Sequence, residues 1–132
     1  MSNNKMGVKE FLGTVSEATE QRHCIQYLNR LKDFKVYRIN TGAARYKNKD
    51  GTERFVKYGT KATPDLGGRY KSPLEKRAIP FYFEVKKKGG RLTQDQKEFI
   101  ESALDDGCYA SYGTFEDLQA YLKNEGLDMS YG

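Results

Sequence analysis

Two carboxylates and an amine pose the chemical question in this sequence: Asp65, then Glu84, 19 positions later, and Lys86. Asp65 follows Pro64, and Glu84-Val85-Lys86 closes the apolar run that begins at Phe81. Side chains alternate along a strand, so Glu84 and Lys86 share one face about 6 to 7 Å apart, while Phe81, Phe83 and Val85 take the other. Pro64 keeps the residue before it extended and has no N–H to give, which suits a strand entrance. Asp65 then starts a strand able to pair with residues 81–86. Two readings stay open. In one, Glu84 and Lys86 form a salt bridge at a frayed strand end and Asp65 caps a proline turn. In the other, Asp65 and Glu84 stand side by side at one sheet end, repelling unless a divalent cation binds. Oxygen-only ligands with open positions select Mg²⁺ or Mn²⁺.

The elements that must hold these groups are readable in outline. Ser16 caps a helix running to about Lys32, with Cys24, Ile25, Leu28 and Leu31 on one stripe. Residues 35–40 alternate as a strand, and Asn48-Lys49-Asp50-Gly51 is the strongest turn signal, so residues 42–58 form a hairpin-like excursion. A short strand is expected near Asp65-Leu66, then a polar, basic connection over residues 69–79, then the strand Phe81 to Lys87. Thr93 caps a helix to about Asp105, with Phe99, Ile100, Ala103 and Leu104 inward. A strand from Cys108 to Tyr112 follows, and Thr114 caps a last helix whose inner face is Leu118, Tyr121 and Leu122. The order α-β-β-β-β-α-β-α reads as α/β, a mixed sheet flanked by helices.

Composition narrows the chemistry. At 132 residues the chain is one domain's worth, with seven Phe and ten Tyr for a core. The net charge of +5 is compatible with a polyanionic partner. Cys24 and Cys108 lack metal-ligand spacing and read as reduced thiols, and His23 is the sole histidine, so histidine-based metallohydrolase chemistry is disfavoured. No apolar run reaches the roughly 18 residues of a membrane span and the start is no signal peptide, so a soluble, cytoplasmic protein is expected.

Pro64-Asp65 followed by Glu84-Val85-Lys86 matches the pattern of the PD-(D/E)XK nuclease superfamily. The run EVKKKGGRLTQDQKEFIESALDDG closely resembles its VRR-Nuc branch, in which the E-x-K strand passes through a glycine-rich basic turn into a glutamine-bearing helix. The resemblance covers roughly residues 16–123 of a single domain, residues 1–132, with polar tails, and implies a restriction-endonuclease-like core. It implies that Asp65, Glu84 and the Val85 carbonyl hold Mg²⁺ or Mn²⁺, and that Lys86 positions or activates the attacking water. Gln96 becomes a supporting active-site residue, although Thr93-x-x-Gln96 is equally a capping box. An acid or amide on the first helix is expected to face the metal; Glu17, Glu20 and Gln21 compete, and Glu20 is taken as the choice. Lys57, Lys61, Arg69, Lys87, Lys88 and Arg91, with Lys71, are the expected contacts to DNA phosphates. Tyr46, Tyr58 and Tyr70 lie among these charges, as core residues or as platforms for unpaired bases.

The implied activity is a structure-selective DNA endonuclease of the kind used in DNA repair, acting on four-way (Holliday) junctions or flaps. Paired cuts need two sites, which implies a two-fold homodimer. A sequence-recognising restriction-type enzyme, reading bases through residues 42–58, is the first alternative. A non-catalytic basic DNA-binding module is the second.

Overall fold

The computed structural model describes residues 15–39, 43–57 and 62–129. Helix α1 spans Glu17–Arg30 and leads into strand β1, Phe34–Arg38. Strands β2 (Ala43–Lys47) and β3 (Glu53–Lys57) follow, then β4 (Leu66–Lys71) and β5 (Ala78–Val85). Helix α2 (Gln94–Asp105), β6 (Tyr109–Gly113), α3 (Phe115–Asn124) and a 3₁₀ turn (Leu127–Met129) complete the chain. β1, β4, β5 and β6 form one mixed sheet in that order; β2 and β3 pair only with each other. The pairs β1–β4 and β4–β5 are antiparallel, and β6 returns parallel to β5 through α2.

Each helix starts where a hydroxyl accepts an orphan backbone N–H. Ser16 accepts from Thr19, while Thr93 and Thr114 form complete capping boxes with Gln96 and Asp117. Cys24 and Leu28, one turn apart on α1, and Leu118 and Leu122 on α3 bury against Phe81, Phe83 and Val85 on the first face of the sheet. Phe34 stacks on Tyr70 at 5.1 Å and Phe81 on Tyr109 at 4.8 Å within that layer. Tyr82 and Ala110, on the second face, are covered by Phe99, Ile100 and Ala103 of α2. β5 is thus gripped from both sides, and its last residues are held rigidly.

The exposed edge of β1 is closed by a side chain. Asn29 donates its amide to the Val36 carbonyl and accepts from the Val36 N–H, both at 3.0 Å. Those are the groups an unpaired edge offers to other chains.

The structure corrects the expected order in one respect. The excursion over residues 42–58 contributes two strands, so five strands precede α2 where four were expected. Arg69, Tyr70 and Lys71 belong to β4, not to a connection, because Tyr70 is buried between Phe34 and Phe81. Leu104 and Tyr121, expected inward, are exposed, since each lies at the edge of its helix's apolar stripe. No helix among the described residues is long and apolar enough to cross a membrane.

Gly68 lies at the closest approach of β1 and β4, where an added Cβ would collide with the Lys35 carbonyl. Backbone cannot move aside as a side chain does. Gly68→Ala is therefore expected to destabilise the protein by about 1–3 kcal/mol or more. Urea unfolding measures this, and an unchanged midpoint would contradict the packing described.

Candidate functional site

The register of the central hairpin builds the site. Leu66 pairs with Phe83 and Gly67 with Tyr82, so one further step places Asp65 opposite Glu84. Side chains directly opposite in an antiparallel pair have Cβ atoms about 4.5–5.5 Å apart. The two carboxyl groups therefore meet where β4 begins and β5 ends. Asp65 is fixed by an N–H from Val85 to its Oδ2, 3.1 Å, and by its own carbonyl, which accepts from Ile39 at 2.9 Å. A residue's N–H and C=O leave a strand on the same side, so the Val85 carbonyl also looks toward Asp65.

Glu84 is only 4% exposed, an unusual state for a glutamate. Burial, and next the charge of Asp65, push its pKa up to about 8. Burial also raises the pKa of Asp65, against hydrogen bonds from Glu84 and Val85 that favour its ionised form. Burial thus favours the protonated form of both groups, and at Glu84 the charge of Asp65 adds to it. Glu84 Oε2 is buried and has no hydrogen-bond partner. An unsatisfied buried acceptor costs roughly 1–3 kcal/mol, which a cation at that point removes. No three or more His, Cys, Asp or Glu side chains cluster as a metal site among the described residues. The side-chain donor set here is two carboxylates, leaving a backbone carbonyl and water to complete six oxygens around Mg²⁺ or Mn²⁺.

Of the two readings of Glu84 and Lys86, the salt bridge does not form. Lys86 forms no ion pair with Glu84; Arg77 and Glu75 pair at the surface, 3.4 Å apart. Nor does Asp65 cap a turn, since its carboxylate reaches across to β5. Lys86 sits one residue beyond β5, its N–H on the Gly113 carbonyl at 2.8 Å. With Lys87, Lys88 and Tyr112 it lines a cleft of about 790 Å³ whose walls also carry the acids Glu20, Glu116 and Asp117.

The first-helix acids divide in a way the sequence did not settle. Glu20 Oε2 accepts the Phe115 N–H at 2.7 Å, tying α1 to the start of α3. Its negative charge suits the positive end of that helix. Glu17 is the helix acid whose charge acts on Asp65. Glu20, the expected metal-facing acid, lines the cleft with Lys86 while its carboxylate holds the Phe115 N–H, and Glu17 is the one of the two whose charge reaches Asp65. The Gln96 side-chain oxygen accepts the Thr93 N–H at 2.9 Å, so its capping role is formed. Lys87, Lys88, Arg91 and Arg69 are all exposed. Lys61, Tyr58 and the side chains of Tyr46 and Lys57 lie outside what is described, while Tyr70 is a core residue.

Comparison of the chain with protein-family models, with characterised proteins and with solved structures finds no match.

The carboxylate pair has a pH signature. Glu84 has its pKa raised from 4.5 to about 8, so the folded chain binds more protons than the unfolded one across that window. The stability from this group is complete below pH 4.5 and is lost as pH rises through about 8. Metal-free protein should lose thermal stability across this range, and Glu84→Gln should flatten the loss. Identical pH profiles for both proteins would contradict the raised pKa of Glu84.

Proposed function

We propose that this chain is a divalent-metal-dependent DNA endonuclease of the VRR-Nuc type, hydrolysing phosphodiester bonds at branched DNA. The observation that carries the reading is Asp65 opposite Glu84, with a buried, unpartnered Glu84 oxygen and an unpaired Lys86 beside them. Two strand-borne carboxylates forced together have a use as cation ligands and a cost otherwise. The mixed α/β sheet flanked by helices, with the pair at the junction of its two central strands, supports the nuclease-like core.

In this reading Asp65, Glu84 and the Val85 carbonyl hold Mg²⁺ or Mn²⁺, and Glu17 adds negative charge at the same point. When bound, the cation supplies an activated water at neutral pH and offsets charge on the phosphate. Lys86 orients that water and stabilises the charge that develops on the scissile phosphate. Gln96, at the start of α2, supports the site through its free amide end. Lys87, Lys88 and Arg91, on the exposed turn after β5, meet the DNA backbone; Lys57, in the excursion, and Lys61, which follows it in sequence, are proposed to do so as well. The substrate class, four-way junctions or flaps, follows from the VRR-Nuc resemblance. Resolving a four-way junction takes two coordinated cuts, so a two-fold homodimer is part of the proposal.

A restriction-type enzyme reading sequence through the β2–β3 hairpin is the second reading, favoured only by that ribbon's separation from the main sheet. A simple DNA-binding module leaves the buried Glu84 unexplained.

Asp65→Asn and Lys86→Ala should each lower Mn²⁺-dependent cleavage of branched DNA by about 10³-fold or more. Binding measured with Ca²⁺ should stay within a few-fold of wild type. Full cleavage by both variants would overturn the assignment. In sedimentation the protein should be a dimer at micromolar concentration; a monomer that makes symmetric paired cuts would remove the two-site argument.

A further inference from the structure

Half of the sheet's second face is covered by no helix among the described residues. Residues on that face are those sharing it with Tyr82 and Glu84: Lys35, Tyr37 and Ile39 on β1, Gly67, Arg69 and Lys71 on β4, and Pro80 on β5. α2 covers Tyr82 and Ala110 but not the β1–β4 side. There Lys35, Tyr37, Arg69, Lys71 and Pro80 are all exposed, Tyr37 at 57%. Gly67 bears no side chain, and Ile39 lies over it. The result is a flat surface that leads along β4 to Asp65.

Lys35 and Arg69 are direct cross-strand partners, and like charges in that position destabilise a sheet. Lys71 stands two residues further along the same face. None of the three is in an ion pair. One step beyond Phe34 and Tyr70, Asp33 stands opposite Lys71 without an ion pair, while Lys35 and Arg69 face each other with no acid between them; that unneutralised pair marks a surface that meets an anion. A second copy of the same face would bring cation against cation, which argues against self-association here. Arg69 lies four residues from Asp65, about 13 Å along the strand, close to four base steps of B-DNA.

We infer that this uncovered half-sheet, Lys35, Tyr37, Arg69 and Lys71, is the surface on which the sugar–phosphate backbone of duplex DNA lies as it approaches the Asp65–Glu84 pair. The three cations contact phosphates on one strand, and Tyr37 packs its ring against the sugars between them. The identity of the polyanion rests on the nuclease reading; the binding test does not.

The experiment is fluorescence anisotropy of a labelled 30-base-pair duplex in EDTA, with wild type, Lys35→Gln, and Lys35→Gln combined with Lys71→Gln. The double variant should bind at least tenfold more weakly at low salt. The slope of log Kd against log salt should fall by about 0.9 for each lost phosphate contact, close to 2 for the pair. Lys35→Gln should also melt no lower than wild type without DNA, since it removes a like-charge neighbour of Arg69. Weaker binding with undiminished stability is the combination that a merely structural lysine would not give. Unchanged affinity and slope in the double variant would overturn the inference. So would a shift from dimer to monomer with DNA binding intact, which would make the face a self-interface. If wild type binds through this face yet never cleaves with Mn²⁺, the nuclease reading fails and this inference stands.

Discussion

The structure depends on two carboxylates that the β4–β5 register forces to face one another away from water. Burial raises the pKa of both, Glu84 to about 8 with the charge of Asp65 adding to the rise, so Asp65 and Glu84 do not both ionise freely. A chain that wanted only stability would fill these positions with a packed apolar pair. The surrounding architecture keeps the arrangement from relaxing. Phe81, Phe83 and Val85 lock β5 into the main core, and Tyr82 anchors it to α2. Val85 N–H and Ile39 N–H hold Asp65 from both neighbouring strands.

The remaining contacts serve the same end of the sheet. Glu20 fastens the start of α3 to α1, which keeps α1's first turn, with Glu17, over the site. Gly113 ends β6 opposite Val85, its φ of +143° allowing the chain to turn directly into the Thr114 cap. Asn29 shields the β1 edge, so the open half-sheet presents side chains rather than an unpaired ladder. Lys86, Lys87 and Lys88 line the cleft opposite the acids Glu20, Glu116 and Asp117, and Lys35, Arg69 and Lys71 stand along the sheet.

Much of this was legible in the residues. The caps at Ser16, Thr93 and Thr114 and the alternation in Phe81 to Val85 are local signals, and each element stands within a few residues of where they point. The Asp65–Glu84 pairing was also legible, because Pro64 marks a strand entrance and the intervening length suits a hairpin. Three features were not. Residues 69–71 look polar, but Tyr70 is drawn into the core by Phe34 and Phe81, partners 36 and 11 residues away in numbering. Glu17 and Glu20 both suit a first turn, and only the position of Phe115, 95 residues from Glu20, separates their roles. The Lys35–Arg69 pair exists only through register, which no local pattern carries. What sequence withheld was long-range pairing; what it offered was local chemistry.

Whether Asp65 and Glu84 hold a cation, as proposed, is decided by calorimetric titration of Mn²⁺ into metal-free protein near neutral pH. Repeating it in buffers of different ionisation heat counts the protons released, since the bound carboxylates must be ionised. The account predicts saturable binding by wild type with proton release, and loss of both in Glu84→Gln. Mn²⁺ binding of equal strength and proton release in Glu84→Gln, or no binding by the wild-type chain, would contradict it.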